Sequence, residues 1–224
     1  MRTLRNVELH LDNTYPASQA KSFLMASCSA CDYVEKHLKQ VRFESPYSRV
    51  NIFCSAESRS VYVRPYAFEP YLHVIIPFIA SPVETLSKTE AQQQFMRAIA
   101  MGLEAAHQFT PMPLHEATVA LARFEQLGCV NKWEHINKQW LRKNCQCIIS
   151  MQVTMESFTA TQTVYIEGKL VADRIIAQTS PRDGLWIDYV GELTISRSNV
   201  LEYKRAGKLL SAFDLGERAF LHPG

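Results

Sequence analysis

The cysteines are the residues of this sequence whose spacing comes closest to a known chemistry. Cys28 and Cys31 have the CxxC spacing, and Cys145 and Cys147 are separated by a single residue. A redox pair needs a thiolate stabilised at a helix N-terminus, and structural zinc needs further ligands at matching spacing. The CxxC pair instead lies inside a predicted helix, and strand alternation turns Cys145 and Cys147 inward. We therefore predict core cysteines, no metal and no cofactor, with metal binding and redox chemistry as the alternatives.

Histidines and carboxylates give no catalytic pattern. The seven histidines form no metal-binding pair, and the sequence has no Gly-x-Ser-x-Gly, glycine-rich phosphate loop or Gly-x-Gly-x-x-Gly. His73 lies in an apolar stretch and is expected to be an interior histidine. Asp173, Asp183, Asp188 and Glu192 could supply an acid and a base only if burial tuned their pKa values, and their spacing selects no pair. We predict no catalytic residue, with an enzyme that lacks a recognisable motif as the alternative.

A basic segment in the middle of the chain predicts a helix-turn-helix. Helices are expected at 113–127 and 132–143, joined by a turn at Gly128. The second predicted helix carries four cations and one carboxylate: Lys132, Lys138, Arg142, Lys143 and Glu134. Such cations contact phosphates in DNA-binding proteins. The alternative is a solvated helix face, and a net charge of +2 is a weak signal for nucleic acid. Nucleic-acid binding through 113–143 is our second alternative function.

An acidic, aromatic strand near the C-terminus predicts a partner-binding surface. Residues 144–196 contain three cations and six carboxylates. If Leu193 and Ile195 face the core, the other face of the strand at 185–195 carries Trp186, Asp188 and Glu192, with Asp183 in the turn before it. Aromatic residues are enriched where proteins meet. We predict these four residues, Asp183 included, as the partner-binding surface. The alternative is that a helix covers this face and Trp186 is core.

Several elements must position these residues. Period-two alternation and apolar runs predict strands at 4–11, 48–54, 61–63 and 72–78, with a helix ending near Gln40. The run at 72–78 is apolar on both faces, which is typical of a central strand covered on each side. Ser87 and Glu90 have capping-box spacing and predict a helix start.

The last third of the chain predicts an antiparallel meander followed by a helix. Alternation is clear from 145 to 155, and turn residues separate it from strands at 161–166, 170–177 and 185–195. Between 170 and 177 both registers are apolar, so that strand is expected to be buried on two faces or bulged. A C-terminal helix is expected at 201–213.

Composition and length predict one α+β unit over residues 1–224. Its parts are a mixed α/β portion at 1–80, a helical middle at 81–143, and a sheet plus helix at 144–224. The chain has 224 residues, of which 47% are hydrophobic. Its longest apolar run, 72–80, is far shorter than the roughly 20 residues of a membrane span. With no secretion signal visible, we predict a cytoplasmic protein that does not bind membranes.

This general character resembles that of bacterial toxin-immunity proteins. The resemblance implies a non-enzymatic protein that binds a cognate toxin, encoded beside it, and occludes the toxin's active site. A nuclease-type toxin presents a basic groove, and complementary charge steers such partners together. Under this resemblance the acidic strand with Trp186, Asp188 and Glu192 is the first candidate surface.

Overall fold

The structure is a computed structural model that describes residues 2–4, 6–41, 43–182, 191–205 and 207–221. It divides the chain into two compact units, Met1–Asn131 and Lys132–Gly224, called unit 1 and unit 2 here. The boundary lies inside the part that the sequence predicted to be helical, 81–143. The prediction of one globular unit over 1–224 stays a prediction.

Unit 1 mixes strands and helices. Its strands are β1 (Arg2–Thr3), β2 (Asn6–Leu11), β3 (Glu44–Ser45), β4 (Arg49–Ser55), β5 (Tyr62–Pro65) and β6 (Tyr71–Pro77). Its helices are α1 (Ala17–Val41), α2 (Lys88–Phe109) and α3 (Leu114–Gln126), with a 3-10 turn at Val83–Thr85. The strands and helices predicted for this part of the chain are therefore present.

The main sheet of unit 1 has the strand order β2-β4-β6-β5. Strands β2, β4 and β6 run parallel, and β5 pairs antiparallel with β6 at one edge. On one face the side chains are buried: Val7, Leu9, Leu11, Val50, Ile52, Cys54, Leu72, Val74 and Ile76. The other face of β6 is only half-buried, so the prediction that β6 is covered on both sides is wrong.

Helices α1 and α2 pack against the buried face of this sheet, and α3 packs on both helices. Gly102 of α2 lies directly over Ile52 of β4, where an added Cβ would come within 2.5 Å of Ile52 Cδ1. The rings of Phe23 on α1 and Phe95 on α2 meet edge to face, 5.1 Å apart. The core of unit 1 therefore lies between the sheet and its helices.

Helix α2 begins with the predicted capping box. The amide of Glu90 donates to Ser87 Oγ (3.3 Å), and the amide of Ser87 donates to Glu90 Oε2 (2.8 Å). The two side chains thus satisfy amides that a helix start leaves without intrahelical partners.

The strands described in unit 2 form two four-stranded sheets. Its strands are β7 (Asn131–Trp140), β8 (Cys145–Val153), β9 (Phe158–Ile166), β10 (Lys169–Thr179), β11 (Glu192–Ile195), β12 (Val200–Arg205), β13 (Lys208–Asp214) and β14 (Ala219–Leu221). The sheet orders are β10-β9-β8-β7 and β11-β12-β13-β14. The predicted meander is confirmed in β8, β9 and β10. Most of its predicted last strand, 185–195, lies outside the described residues, and the described end of it, β11, pairs with β12 in the second sheet. Strand β10 carries two register shifts against β9, as its double apolar register suggested.

The two sheets of unit 2 share one hydrophobic core. The first sheet contributes Cys145, Cys147, Ile149 and Val164, and the second contributes Leu193, Leu201, Tyr203 and Phe213. Alternation along β8, β12 and β13 therefore builds a core between two layers of strands.

The predicted helix at 132–143 is wrong, because Asn131–Trp140 is a strand followed by a 3-10 turn. The chain leaves α3 through Gly128 and Cys129, whose φ angles are 70° and 59°, and then pairs beside β8. Ile136 and Trp140 have helical spacing, but their even separation also places them on one side of a strand, where both pack on the unit 2 core. The segment 113–143 thus holds one helix and one strand, and the helix-turn-helix prediction is wrong.

The predicted C-terminal helix at 201–213 is also wrong. Residues Val200–Arg205 and Lys208–Asp214 are antiparallel strands. Leu201 and Tyr203 are fully buried and alternate with Glu202 and Lys204, which is the period of a strand. Gly207, with a φ of 78°, lies in the turn between the strands.

The α+β fold class is confirmed, with an N-terminal α/β unit and C-terminal antiparallel sheets. Among the described residues, none of the helices has the length and hydropathy that a membrane span requires.

Candidate functional site

The second face of the unit 1 sheet, opposite its buried face, carries polar, charged and aromatic side chains, and we call it the open face. Residues two apart on a strand share a face, so the strand register arranges these side chains in rows across the sheet. The arginine row is Asn6, Arg49 and Tyr71; the polar row is Glu8, Asn51, His73 and Arg64; the aromatic row is His10, Phe53, Ile75 and Tyr62.

Charged groups join the rows on the β2 side of the open face. Glu8 Oε1 lies 3.6 Å from Arg49 Nη1, and Glu8 Oε2 lies 3.1 Å from His10 Nε2. The Arg49 guanidinium also lies 4.7 Å from the centre of the Tyr71 ring. Arg49 is therefore held across the sheet, with Glu8 of β2 on one side and Tyr71 of β6 on the other.

Asn51 stands at the centre of the open face and is only 8% exposed. Its Nδ2 lies 3.3 Å from His73 Nε2, whereas its Oδ1 is buried and has no hydrogen-bond partner among the described residues. Arg49 Nε, two positions earlier on β4, is likewise buried with no partner in the described part of the chain. An unpaired buried polar atom costs about 1–3 kcal/mol. The open face thus keeps one acceptor and one donor unsatisfied on the same strand.

Aromatic rings run across the open face from β2 to the loop after β5. His10 stacks on Phe53 at 5.1 Å, and Phe53 contacts His73 at 5.2 Å. The Tyr66 ring stacks on the His73 imidazole, with ring centres 5.0 Å apart. The Phe68 ring packs edge-on to Tyr66, with ring centres 6.1 Å apart. Tyr66 is 43% exposed and Phe68 is 89% exposed. The series therefore ends in two rings with faces or edges open to solvent.

The imidazole of His73 is held in its neutral form. Burial lowers its pKa below the ordinary histidine value, and the nearby charges of Arg64 and His10 lower it further. The amide nitrogen of Asn51 can only donate, so in this contact His73 Nε2 is the acceptor. That assignment leaves the carbonyl oxygen of Asn51 as the unpaired atom.

This arrangement is suited to binding a flat, polar molecule. Aromatic rings stack on other π systems. The unpaired Nε of Arg49 can donate one hydrogen bond to such a molecule, and the unpaired Oδ1 of Asn51 can accept one. Across the described ranges, no group of three or more His, Cys, Asp and Glu side chains is placed to hold a metal ion.

The predicted partner-binding residues fall mainly outside the described part of the chain. Asp183, Trp186 and Asp188 lie within 183–190, which the structure does not describe. Glu192 opens β11, is exposed, and lies across from Lys204 of β12. The structure therefore describes one of the four residues, and the partner-binding surface stays a prediction.

One predicted cation and two of the predicted cysteines take structural positions, whereas the other cations of the segment are exposed. Lys138 Nζ donates to the carbonyl of Leu193 (2.9 Å) and lies 5.4 Å from the Trp140 ring centre. Cys31 is buried, and burial raises the pKa of its thiol well above the ordinary value. Burial likewise raises the pKa of Cys147 to about 12. Buried thiols of this kind are protonated at neutral pH and weakly nucleophilic.

Sequence reasoning missed the open face, although its alternation signal was present. Arg49 and Asn51 were predicted to point away from the core, which the structure confirms. His73 was expected in the interior, yet it is half-buried on the open face. The missing information was that β2, β4 and β6 are neighbours, which places Glu8 and His10 in register with the polar side chains of β4.

Comparison with models of known protein families, with curated proteins and with solved structures finds no match to this chain.

Proposed function

We propose that this protein acts by binding a ligand on the open face of unit 1, as a binding protein rather than an enzyme. The observation that carries the proposal is the buried, unpaired Oδ1 of Asn51, which shares one strand with the unpaired Nε of Arg49. Folded proteins pair nearly all of their buried polar atoms. Single unpaired atoms also occur elsewhere in the described part of the chain, but these two lie two residues apart on one face of one strand, which favours a ligand at that face. A ligand with one donor and one acceptor would satisfy both atoms.

The placement of the histidines supports binding over acid–base catalysis. Strand β4 lies between β2 and β6, and its Phe53 ring contacts both imidazoles, at 5.1 Å from His10 and 5.2 Å from His73. A general acid and a general base must both reach the reacting group within hydrogen-bond distance. An apolar ring packed against both histidines separates them, whereas it suits a surface on which a ligand stacks.

Histidine footprinting tests the proposal without knowledge of the ligand. Diethyl pyrocarbonate modifies accessible imidazoles, and mass spectrometry reads the rate at each one. We expect His10 and His73 to react more slowly when the purified protein is returned to an extract of its source cells. His115, exposed on α3, is the control and should react at the same rate in both samples. Equal rates at all three histidines, with and without extract, would contradict the proposal.

The toxin partner predicted from the sequence is a separate proposal. It rests on the acidic, aromatic strand, of which the structure describes Glu192 and the residues after it. Size exclusion of the protein mixed with the product of the adjacent gene tests it, and the absence of a complex would contradict it.

A further inference from the structure

We propose that the ligand of the open face is single-stranded nucleic acid, bound through its bases. This inference rests on the proposed function, because it names the ligand class of the same surface. Three properties of the open face lead to it: the pair of unsatisfied polar atoms, the series of rings, and the exposed arginine on β5.

The unsatisfied atoms match the edge of a nucleobase. Arg49 Nε offers a hydrogen and Asn51 Oδ1 accepts one, and both belong to the same side of β4. Each nucleobase presents donors and acceptors side by side along its edge. A nucleotide lying on the open face would therefore bring an acceptor for Arg49 Nε and a donor for Asn51 Oδ1.

The rings supply surfaces on which bases stack. Tyr66 already stacks on His73 at 5.0 Å, with ring planes 22° apart, and keeps 43% of its surface exposed. Phe68 beside it is 89% exposed, which leaves most of an apolar ring in water. From β2 to β6 the sheet spans two strand spacings, about 10 Å, which is room for two or three bases. Stacking on protein aromatics tolerates any base, because every base has a π face.

One cation of the open face is placed to meet a phosphate. The face carries two arginines, Arg49 and Arg64, and two carboxylates: Glu8 lies 3.6 Å from Arg49, and Glu69 bonds the Tyr71 hydroxyl. Arg64 is exposed on the edge strand β5, in register with His73. A chain whose bases lie over β4 and β6 would bring a phosphate near Arg64.

Single strands fit this surface better than duplexes or proteins. Bases in a duplex are stacked and paired, so their faces cannot reach rings on a sheet, whereas single strands splay their bases out. A peptide amide could pair with Arg49 and Asn51 and is planar, but it offers the exposed Tyr66 and Phe68 rings a smaller stacking surface than a base and brings Arg64 no phosphate. A protein ligand is therefore the competing outcome that the experiment must detect.

The test is direct binding of defined oligonucleotides to the purified full-length protein. Fluorescence anisotropy would follow labelled single strands of roughly 12 nucleotides, as poly-U, poly-A and poly-C, beside a duplex of equal length. We expect saturable binding of single strands and at least about tenfold weaker binding of the duplex. With one or two phosphate contacts, affinity should fall about three- to sevenfold between about 50 and about 200 mM salt.

Four substitutions, in matched pairs, locate the site. Tyr66→Ala should weaken single-strand binding about tenfold through lost stacking, whereas Phe109→Ala removes a comparably exposed ring at the end of α2 and should change nothing. Arg64→Gln should weaken binding about threefold at low salt and flatten the salt dependence. Arg123→Gln, on the exposed side of α3, is its control.

A fifth substitution, Asn51→Leu, removes the unpaired acceptor and should weaken binding about tenfold. Far-UV circular dichroism confirms that each variant is folded. Because Tyr66 is exposed, its variant decides the matter if Asn51→Leu fails to fold.

The outcomes separate the two proposals. If no oligonucleotide binds, or if Tyr66→Ala and Arg64→Gln bind like their controls, the nucleic-acid inference is overturned. If His10 and His73 are nevertheless protected in extract treated with nucleases, the ligand is another molecule, such as a protein, and the proposed function stands. If neither binding nor protection is found, both proposals fail. Protection that nuclease treatment abolishes, together with single-strand binding that depends on Tyr66, supports both.

Discussion

Glu35 is a carboxylate that the fold of unit 1 buries almost completely. Its Oε1 accepts a hydrogen bond from the Val7 amide at 2.9 Å, and its Oε2 lies 3.3 Å from Lys39 Nζ. Burial raises the pKa of Glu35 from 4.5 to about 7, against the opposing effects of Lys39 and of the Val7 hydrogen bond. Below about pH 7 the folded protein therefore holds Glu35 mainly in its protonated form.

Replacing Glu35 with Gln should change how stability depends on pH. Between pH 4.5 and about 7 the folded protein binds more protons at Glu35 than the unfolded chain does, so this residue makes stability fall as pH rises. Glu35→Gln removes this decrease of the free energy of unfolding with rising pH. The stability of the variant relative to wild type should rise by about 3 kcal/mol from about pH 4.5 to about pH 8.

Urea unfolding followed by far-UV circular dichroism at the two pH values measures this difference. The control is Glu104→Gln, the same substitution at an exposed position of α2, measured at the same two pH values. A Glu35→Gln variant whose relative stability is independent of pH would contradict the assignment.

At the residue scale, the sequence predicted which face of a strand a side chain occupies better than it predicted how deeply that side chain is buried. Alternation correctly turned Asn51 outward and Cys145 inward, because a strand has only two faces. It could not tell that Asn51 would be buried by its neighbours on the open face, or that Glu35 would be buried at the Val7 amide. Burial of a polar group depends on which elements meet, and that information is spread over distant parts of the chain.

At the scale of elements, capping chemistry was predictable where it was local. Ser87 and Glu90 are three residues apart, so their reciprocal hydrogen bonds follow from the sequence alone. The strand β7 was missed because the spacing of Ile136 and Trp140 fits a helix face as well as one strand face. Pairing with β8, a long-range contact, decided between the two.

Ser87→Ala should destabilise unit 1 by about 1 kcal/mol, because the Glu90 amide at the start of α2 loses its acceptor. Urea unfolding measured by circular dichroism gives the value. Ser60→Ala, at an exposed position before β5, should change stability by less than about 0.5 kcal/mol. Equal effects of the two substitutions would show that the capping box contributes nothing measurable.

Gly102→Ala should be destabilising by about 1–3 kcal/mol, because its Cβ would lie 2.5–2.6 Å from three carbons of Ile52. Combining it with Ile52→Ala, which removes those carbons, should cost at least about 1 kcal/mol less than the sum of the two single substitutions. The double-mutant cycle is measured by urea unfolding. Additive effects would contradict the close approach of α2 to β4.

At the scale of the whole molecule, each unit has a core of its own. The helices, which dominate far-UV circular dichroism, and the tryptophans, which dominate fluorescence, belong to different units. The described helices α1, α2 and α3 all belong to unit 1, whereas the three tryptophans of the sequence belong to unit 2. The sequence predicted the α+β class and the C-terminal meander, since both rest on local periodicity. It did not predict the boundary at Asn131, because that depends on which long-range contacts form.

A chain of residues 1–131 should fold without the rest of the protein. A domain of this length buries roughly two thirds of its unfolded surface, enough for a cooperative core. We expect a helical far-UV spectrum and a single sigmoidal urea transition. A spectrum without helix, or a gradual loss of signal, would show that unit 1 does not fold on its own.

The strand order within the two units also has a consequence for the speed of folding. In both sheets of unit 2, neighbouring strands are consecutive in the chain, so each pairing closes a comparatively short loop. In unit 1, β2 meets β4 only after the whole of α1, and β4 meets β6 only after β5 has passed to the far edge. Folding slows as the sequence separation of contacts grows. Unit 1 is synthesised before unit 2, yet we expect the antiparallel sheets of unit 2 to fold faster. The open face of unit 1 is complete only when β6 has paired with β4.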